Sequence, residues 1–241
     1  QLWPAVNERF ARWIRRVYSG LHNLPASPPA MVHHLPKQLQ RWVENDEEKV
    51  ALVVLDGLSC AGWFTLKDGL LNGRRDRVRL EESAVFSWVP SLTPVGRQSL
   101  FSGQPPLLFP ETLDRTDKDA DRWQTFWESN AEFLPAPVHH HLFRGQKSDL
   151  GALSALVGGK IQALGLTISK PDTIMHGSTL GWAGWHQQLG LWNNETSFMT
   201  ALIDRLLDDG FTVCLSADHG NLEAIGTGRI NEGVMAENRG Q

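Results

Sequence analysis

The chain has 241 residues, 41% hydrophobic and 21% charged, with a formal net charge of −4 at neutral pH. That suits one large globular domain or one domain with an appendage. No stretch is long and apolar enough to span a bilayer, no signal-peptide pattern opens the sequence, and the acidic balance lends nucleic-acid binding no support beyond a local basic pocket. The two cysteines, Cys60 and Cys214, fall inside apolar runs and are expected to be buried free thiols of a cytoplasmic protein.

Residues 2–20 carry Trp3, Val6, Phe10, Trp13, Ile14 and Val17 at three- and four-residue spacing, with Arg9, Arg12, Arg15 and Arg16 between them. This predicts an amphipathic helix that stops near Gly20. Pro25, Pro28 and Pro29 mark a stiff connection, and a second helix is expected over residues 31–43, broken or restarted at Pro36. Residues 1–48 thus read as a helical segment leading into a sheet domain over residues 49–241.

Residues 49–55 are the first predicted core strand, and residues 58–71 have helical spacing. One strand or two are expected within 78–89. Pro90 starts a turn that leads into a helix over 95–101, ending at Gly103, and Pro105, Pro106 and Pro110 make an irregular loop. A short helix over 119–130 follows, with Trp123, Phe126 and Trp127 on one side. Then come a strand over 138–143, a helix over 150–164 weakened by Gly158 and Gly159, and a strand over 166–169. Residues 182–209 read as helix interrupted near Gly190, and 211–216 as the last core strand. Strands alternating with helices predict an α/β fold: a mostly parallel sheet with helices on both faces.

Acidic residues follow three of the apolar runs: Asp56 after the first strand, Asp172 after Pro171, and Asp218 with His219 after the last. In an open α/β sheet the carboxyl ends of the strands line one crevice, where such residues could hold a cation. Asp56-Gly57 is also a common turn pair. Asp172 and His176, four apart, share one side of a helix or tight turn. Adjacent Asp218 and His219 suit zinc, and also manganese. Thr93, just before a helix, serves either as an N-cap or as a nucleophile. Arg97, one turn on, is either an anion partner or a surface residue. His139, His140 and His141 alternate across a strand and cannot easily converge on one ion.

In order, Val54-Leu55-Asp56-Gly57, Pro90-Ser91-Leu92-Thr93, Pro171-Asp172 with His176, and Ala217-Asp218-His219-Gly220 resemble the alkaline phosphatase superfamily. That superfamily includes nucleotide pyrophosphatases/phosphodiesterases and cofactor-independent phosphoglycerate mutases. The whole run Lys49 to Gly57, the turn with Ser102-Gly103 after it, and Ser216 to Glu223 resemble more closely the PglZ domain of bacterial BREX phage-defence systems.

The resemblance implies a metal-dependent phosphodiesterase or phosphatase in phage defence, using two divalent cations, zinc first and manganese next. By position, Asp56, Thr93, Asp218 and His219 hold one ion; Asp172 and His176, with one further His, hold the second. No His follows His219 in this sequence, so the second site is expected to be short of a ligand. The ending, residues 237–241, reads as interrupted. Thr93 is the implied nucleophile, with a phospho-threonine intermediate, and Arg97 the expected partner of the phosphoryl oxygens. Expected partners are a phosphoester substrate and other phage-defence proteins. The alternative is a scaffold that binds those proteins, its hydrolysis incidental.

Overall fold

Strand β1 (Lys49–Leu55) is buried along all but its first residue, because it lies between two parallel neighbours and under helices on both sides. The computed structural model describes residues 2–46, 49–72, 78–129, 138–222 and 228. With β2 (Val138–Phe143), β3 (Ala163–Ile168) and β4 (Phe211–Ser216), β1 forms an all-parallel sheet in the order β2-β3-β1-β4.

Successive residues of a strand face opposite sides, and β1 divides its side chains accordingly. Val50, Leu52 and Val54 join a cluster built with α2 (Leu35–Asp46), α4 (Thr93–Ser102) and α5 (Asp119–Ser129). Ala51, Val53 and Leu55 join the opposite cluster, built with α3 (Cys60–Leu71), α6 (Asp149–Leu156), α7 (Lys170–Gly177), α8 (Gly181–Thr196) and α9 (Phe198–Asp208). The predicted α/β architecture with helices on both faces is therefore the one observed. Among its described side chains, the N-terminal helix, α1 (Leu2–Val17), contributes none to either cluster. It is tied on by Trp13, stacked on Phe86 with ring centroids 4.8 Å apart, and just beyond its end by the Tyr18 hydroxyl, which donates to Ser87 O at 2.6 Å. No helix among the described residues is long and apolar enough to cross a membrane.

The structure differs from the sequence reading in four places. No strand forms among the described residues of 78–92; their one β-type pairing is an isolated bridge, Met31 to Phe86. Its apolar residues Val85 and Trp88 pack against the cluster built with α2, α4 and α5 as a loop instead of pairing with a sheet edge. Helix α8 runs through Gly190, and the break falls at Ser197, whose φ of 48° is left-handed. The helix expected over 150–164 closes at Leu156, where Val157 turns extended. Cys60 is exposed at the start of α3, and Cys214 is only partly buried. The expected helix end at Asn130 and the ending over 237–241 lie outside the described residues.

Candidate metal centre

The strand order puts the carboxyl ends of β1 and β4 side by side, with Val54 opposite Ser216. Asp56 follows β1 immediately, and Asp218 comes two residues after β4. Gly57 turns the chain away with a φ of +66°, a region that costs a side-chain-bearing residue strain. Its N–H then donates to Asp218 Oδ1 at 3.0 Å, and its carbonyl accepts from Asn221 Nδ2 at 2.9 Å. A Cβ at this position would lie 3.3 Å from Asp172 Oδ1 and 3.5 Å from His219 Cε1, so Gly57 is the floor on which those two side chains meet. Gly96 permits a second close approach. A Cβ there would stand 2.6 Å from Asp218 O, and only its absence lets α4 sit on the backbone of the Asp-His pair.

That placement brings Thr93, the first residue of α4, to the crevice. The N-cap position belongs to Leu92, so Thr93 is not capping the helix. Its Oγ1 lies 3.0 Å from His219 Nε2. His219 Nδ1 is 2.9 Å from Gly220 O, which can only accept. Nδ1 therefore carries the proton of the neutral ring, and the Nε2 lone pair faces the crevice.

Two carboxylate oxygens share this space without a hydrogen-bond partner: Asp56 Oδ1 and Asp218 Oδ2, both buried. Their companion atoms are satisfied, Asp56 Oδ2 by Arg97 Nη1 at 3.1 Å and Asp218 Oδ1 by the backbone of Gly57 and His219. Leaving a charged oxygen dry and unpaired costs several kcal/mol, so the arrangement calls for a positive group between them. His219 Nε2 lies 3.8 Å from Asp56 Oδ1 and 3.6 Å from Asp218 Oδ2. Donors around one tetrahedral ion stand about 3.4 Å apart, so small side-chain movements would close these three on a cation. Asp56, Asp218 and His219 are the candidate metal group among the described residues, with donor atoms all within 4.8 Å of one another. Burial, and then the neighbouring Asp56, push the Asp218 carboxyl well above its usual range.

The remaining candidate residues are placed as follows. Asp172 and His176, in α7, stand 3.4 Å apart at the rim, with Asp172 partly buried and His176 mostly exposed. Burial and the nearby Asp56 raise the Asp172 carboxyl. This pair borders the three-donor group without joining it. Arg97 is buried, and its guanidinium is occupied by protein: Nη1 on Asp56, Nε on Asp119 Oδ2 at 2.7 Å, and Nη2 on Asp119 and on Thr116 O at 2.9 Å. Burial opposes its charge, but Asp119, Asp56 and Asp218 outweigh that and raise its pKa. His139 and His141 stack on each other, centroids 6.5 Å apart, while His140 meets Phe101 and Thr167.

Asp119 is the residue that sequence reasoning missed. In the sequence it is an acid in the first turn of a helix, where acids are favoured by the helix dipole alone, and nothing local marks it as a partner of Arg97. No curated protein matches the chain. The family model of the BREX system PglZ alkaline phosphatase-like domain matches residues 35–241, which takes in α2, the whole sheet and every residue of the crevice. That match covers most of a chain whose helix-clad parallel sheet brings Asp56 and the Asp218-His219 pair to one crevice, and the chain belongs to the PglZ family of BREX alkaline phosphatase-like domains.

Proposed function

We propose that this chain is a metal-dependent phosphoester hydrolase, a phosphodiesterase or phosphatase, with Thr93 as its nucleophile. The observation that supports it most is the convergence of two partnerless carboxylate oxygens, the unprotonated imidazole nitrogen of His219 and the Thr93 hydroxyl beside it in one crevice. Family membership supports the reaction class.

A divalent cation held by Asp56, Asp218 and His219 would supply Lewis-acid activation of the Thr93 hydroxyl and positive charge opposite the phosphoryl oxygens. The mixed oxygen and nitrogen donor set favours zinc, then manganese. Asp218 is fixed for this role by the Gly57 and His219 N–H groups, and His219 by its bond to Gly220 O. Thr93 Oγ, its proton passed to solvent, forms a bond to phosphorus as the ester oxygen leaves and takes up a proton as the free alcohol, giving a phospho-threonine. Water then breaks the Thr93–phosphate ester and regenerates the hydroxyl. Thr93, held on the first turn of α4, needs little reorganisation to attack. Asp172 and His176 are assigned to a second cation, a pair that needs a further donor to complete four ligands. Arg97, with its guanidinium taken up by carboxylates, is assigned a positioning role in place of direct contact with phosphoryl oxygens. Membership of a BREX family supports work alongside other defence proteins.

The test is elemental analysis of the purified protein, followed by hydrolysis of bis-p-nitrophenyl phosphate and p-nitrophenyl phosphate with and without a chelator. Metal-dependent turnover is expected. Protein that takes up no divalent ion and is inert on both esters would end this reading.

A further inference from the structure

Behind the metal group lies a chain of buried polar contacts that the crevice itself does not need for contact with substrate. Arg97 bridges Asp56 Oδ2 and Asp119 Oδ2. Thr167, fully buried on β3, has its Oγ1 3.4 Å from the same Asp119 oxygen and 3.1 Å from His140 Nε2 on β2. The carboxylate can only accept, so the Thr167 hydroxyl donates to Asp119 and takes its own bond from His140 Nε2–H. The donors thus run in one direction, from His140 through Thr167 to Asp119, while Arg97 faces the carboxylates on both sides.

Charge gives this chain a purpose. Asp56, Asp218 and Asp119 are three buried carboxylates facing one buried guanidinium. Carboxylates outnumber cationic side chains here by three to one, an imbalance that a divalent cation would offset. Without Asp119, Arg97 would have Asp56 as its carboxylate partner and would compete directly with the cation for it. Resting on the metal-site reading above, we infer that Asp119, held by Thr167 and His140, is a positioning residue that sets the affinity of the Asp56–Asp218–His219 group for a divalent cation: it engages Nε and Nη2 of Arg97, so that Arg97 reaches Asp56 only through Nη1 on Oδ2 and leaves Oδ1 to the cation.

The experiment is calorimetric titration of the metal-free full chain with Mn2+ and Zn2+, alongside its thermal midpoint. Asp119→Asn keeps the shape and removes the charge, and it should weaken metal affinity by about tenfold or more. Thr167→Val removes one supporting hydrogen bond and should weaken it by about threefold. A purely structural role would lower the thermal midpoint and leave the affinity of the folded protein unchanged. Wild-type affinity in folded Asp119→Asn overturns the inference and leaves the metal site standing. If that variant does not fold, wild-type affinity in Thr167→Val does the same. A wild-type chain that binds neither ion removes the metal-site reading and this inference with it.

Discussion

The Thr93 hydroxyl lies 3.0 Å from His219 Nε2, although 126 positions separate the two residues in the chain. Nothing local favours that contact; it exists because α4 is seated on the end of β4. Thr93→Ala should therefore lower hydrolysis of bis-p-nitrophenyl phosphate by about 10⁴-fold or more, since removing one member of a nucleophilic unit disables the whole. Its thermal midpoint and metal uptake should stay close to wild type. Turnover within a factor of a few of wild type would exclude Thr93 as the nucleophile.

Cation binding should stabilise the fold, because Asp56 Oδ1 and Asp218 Oδ2 have no partner without it. At a hundredfold excess over Kd the gain is about 2.7 kcal/mol, or roughly 5–10 °C in Tm for a chain of this size. Differential scanning fluorimetry with Mn2+ or Zn2+, then with added chelator, checks both directions. Asp218→Asn should abolish the metal-induced rise.

Arg97 is the reason Asp56 and Asp119 can be buried close together. Removing one partner of a buried ion pair costs about 3–5 kcal/mol, because the carboxylates left behind have lost their counter-charge. Arg97→Met should show that loss in urea denaturation. A variant of unchanged stability would mean that the buried triad is not held as described.

Gly96 tests the seating of α4 with a single methyl group. A Cβ there would stand 2.6 Å from Asp218 O, a backbone atom that cannot swing aside. Gly96→Ala should cost about 1–3 kcal/mol by overpacking, despite alanine's better helix propensity, and should depress activity more than stability. An active and stabilised Gly96→Ala protein would contradict this packing.

His33 gives a pH dependence remote from the crevice. It is buried between His34 and Trp88, with ring centroids 4.2 and 5.1 Å away, and burial, then its neighbour His34, lower its pKa from 6.5 to about 4. The folded value lies below the unfolded one, so the unfolded chain takes up the proton first. The stability from neutral His33 is complete above pH 6.5 and is lost as pH falls towards about 4, a loss of up to about 3 kcal/mol. Denaturation midpoints between pH 7 and 4.5 should fall less steeply in His33→Phe than in wild type. Parallel curves for the two proteins would refute the assignment.

The sheet was legible because β1 and β3 are largely apolar and buried on both faces, and β4 is a mostly apolar run that starts just after Gly210. The same pattern exposed Asp56 and Asp218, since an acid directly after such a run is conspicuous. Residues 78–89 misled because β-prone composition does not supply a partner strand, and this segment found one bridge and an apolar surface instead. Gly190 misled because a helix interior tolerates glycine at about 1 kcal/mol, whereas the actual break depends on the left-handed backbone of Ser197. The roles of Arg97 and Asp119 could not be read at all: each is ordinary in its own helix, and their meaning lies in a tertiary contact between α4 and α5.

The strand order has a further consequence for how the protein is made. Asp56 leaves the ribosome long before Asp218 and His219, about 10–30 s earlier at roughly 5–20 residues per second. For that interval β1 lacks the neighbour on its β4 side, and the nascent sheet carries an open apolar edge of the kind that recruits other chains. On the proposed metal site, cation loading would therefore be a late event in biosynthesis, coupled to the insertion of β4, the last strand among the described residues.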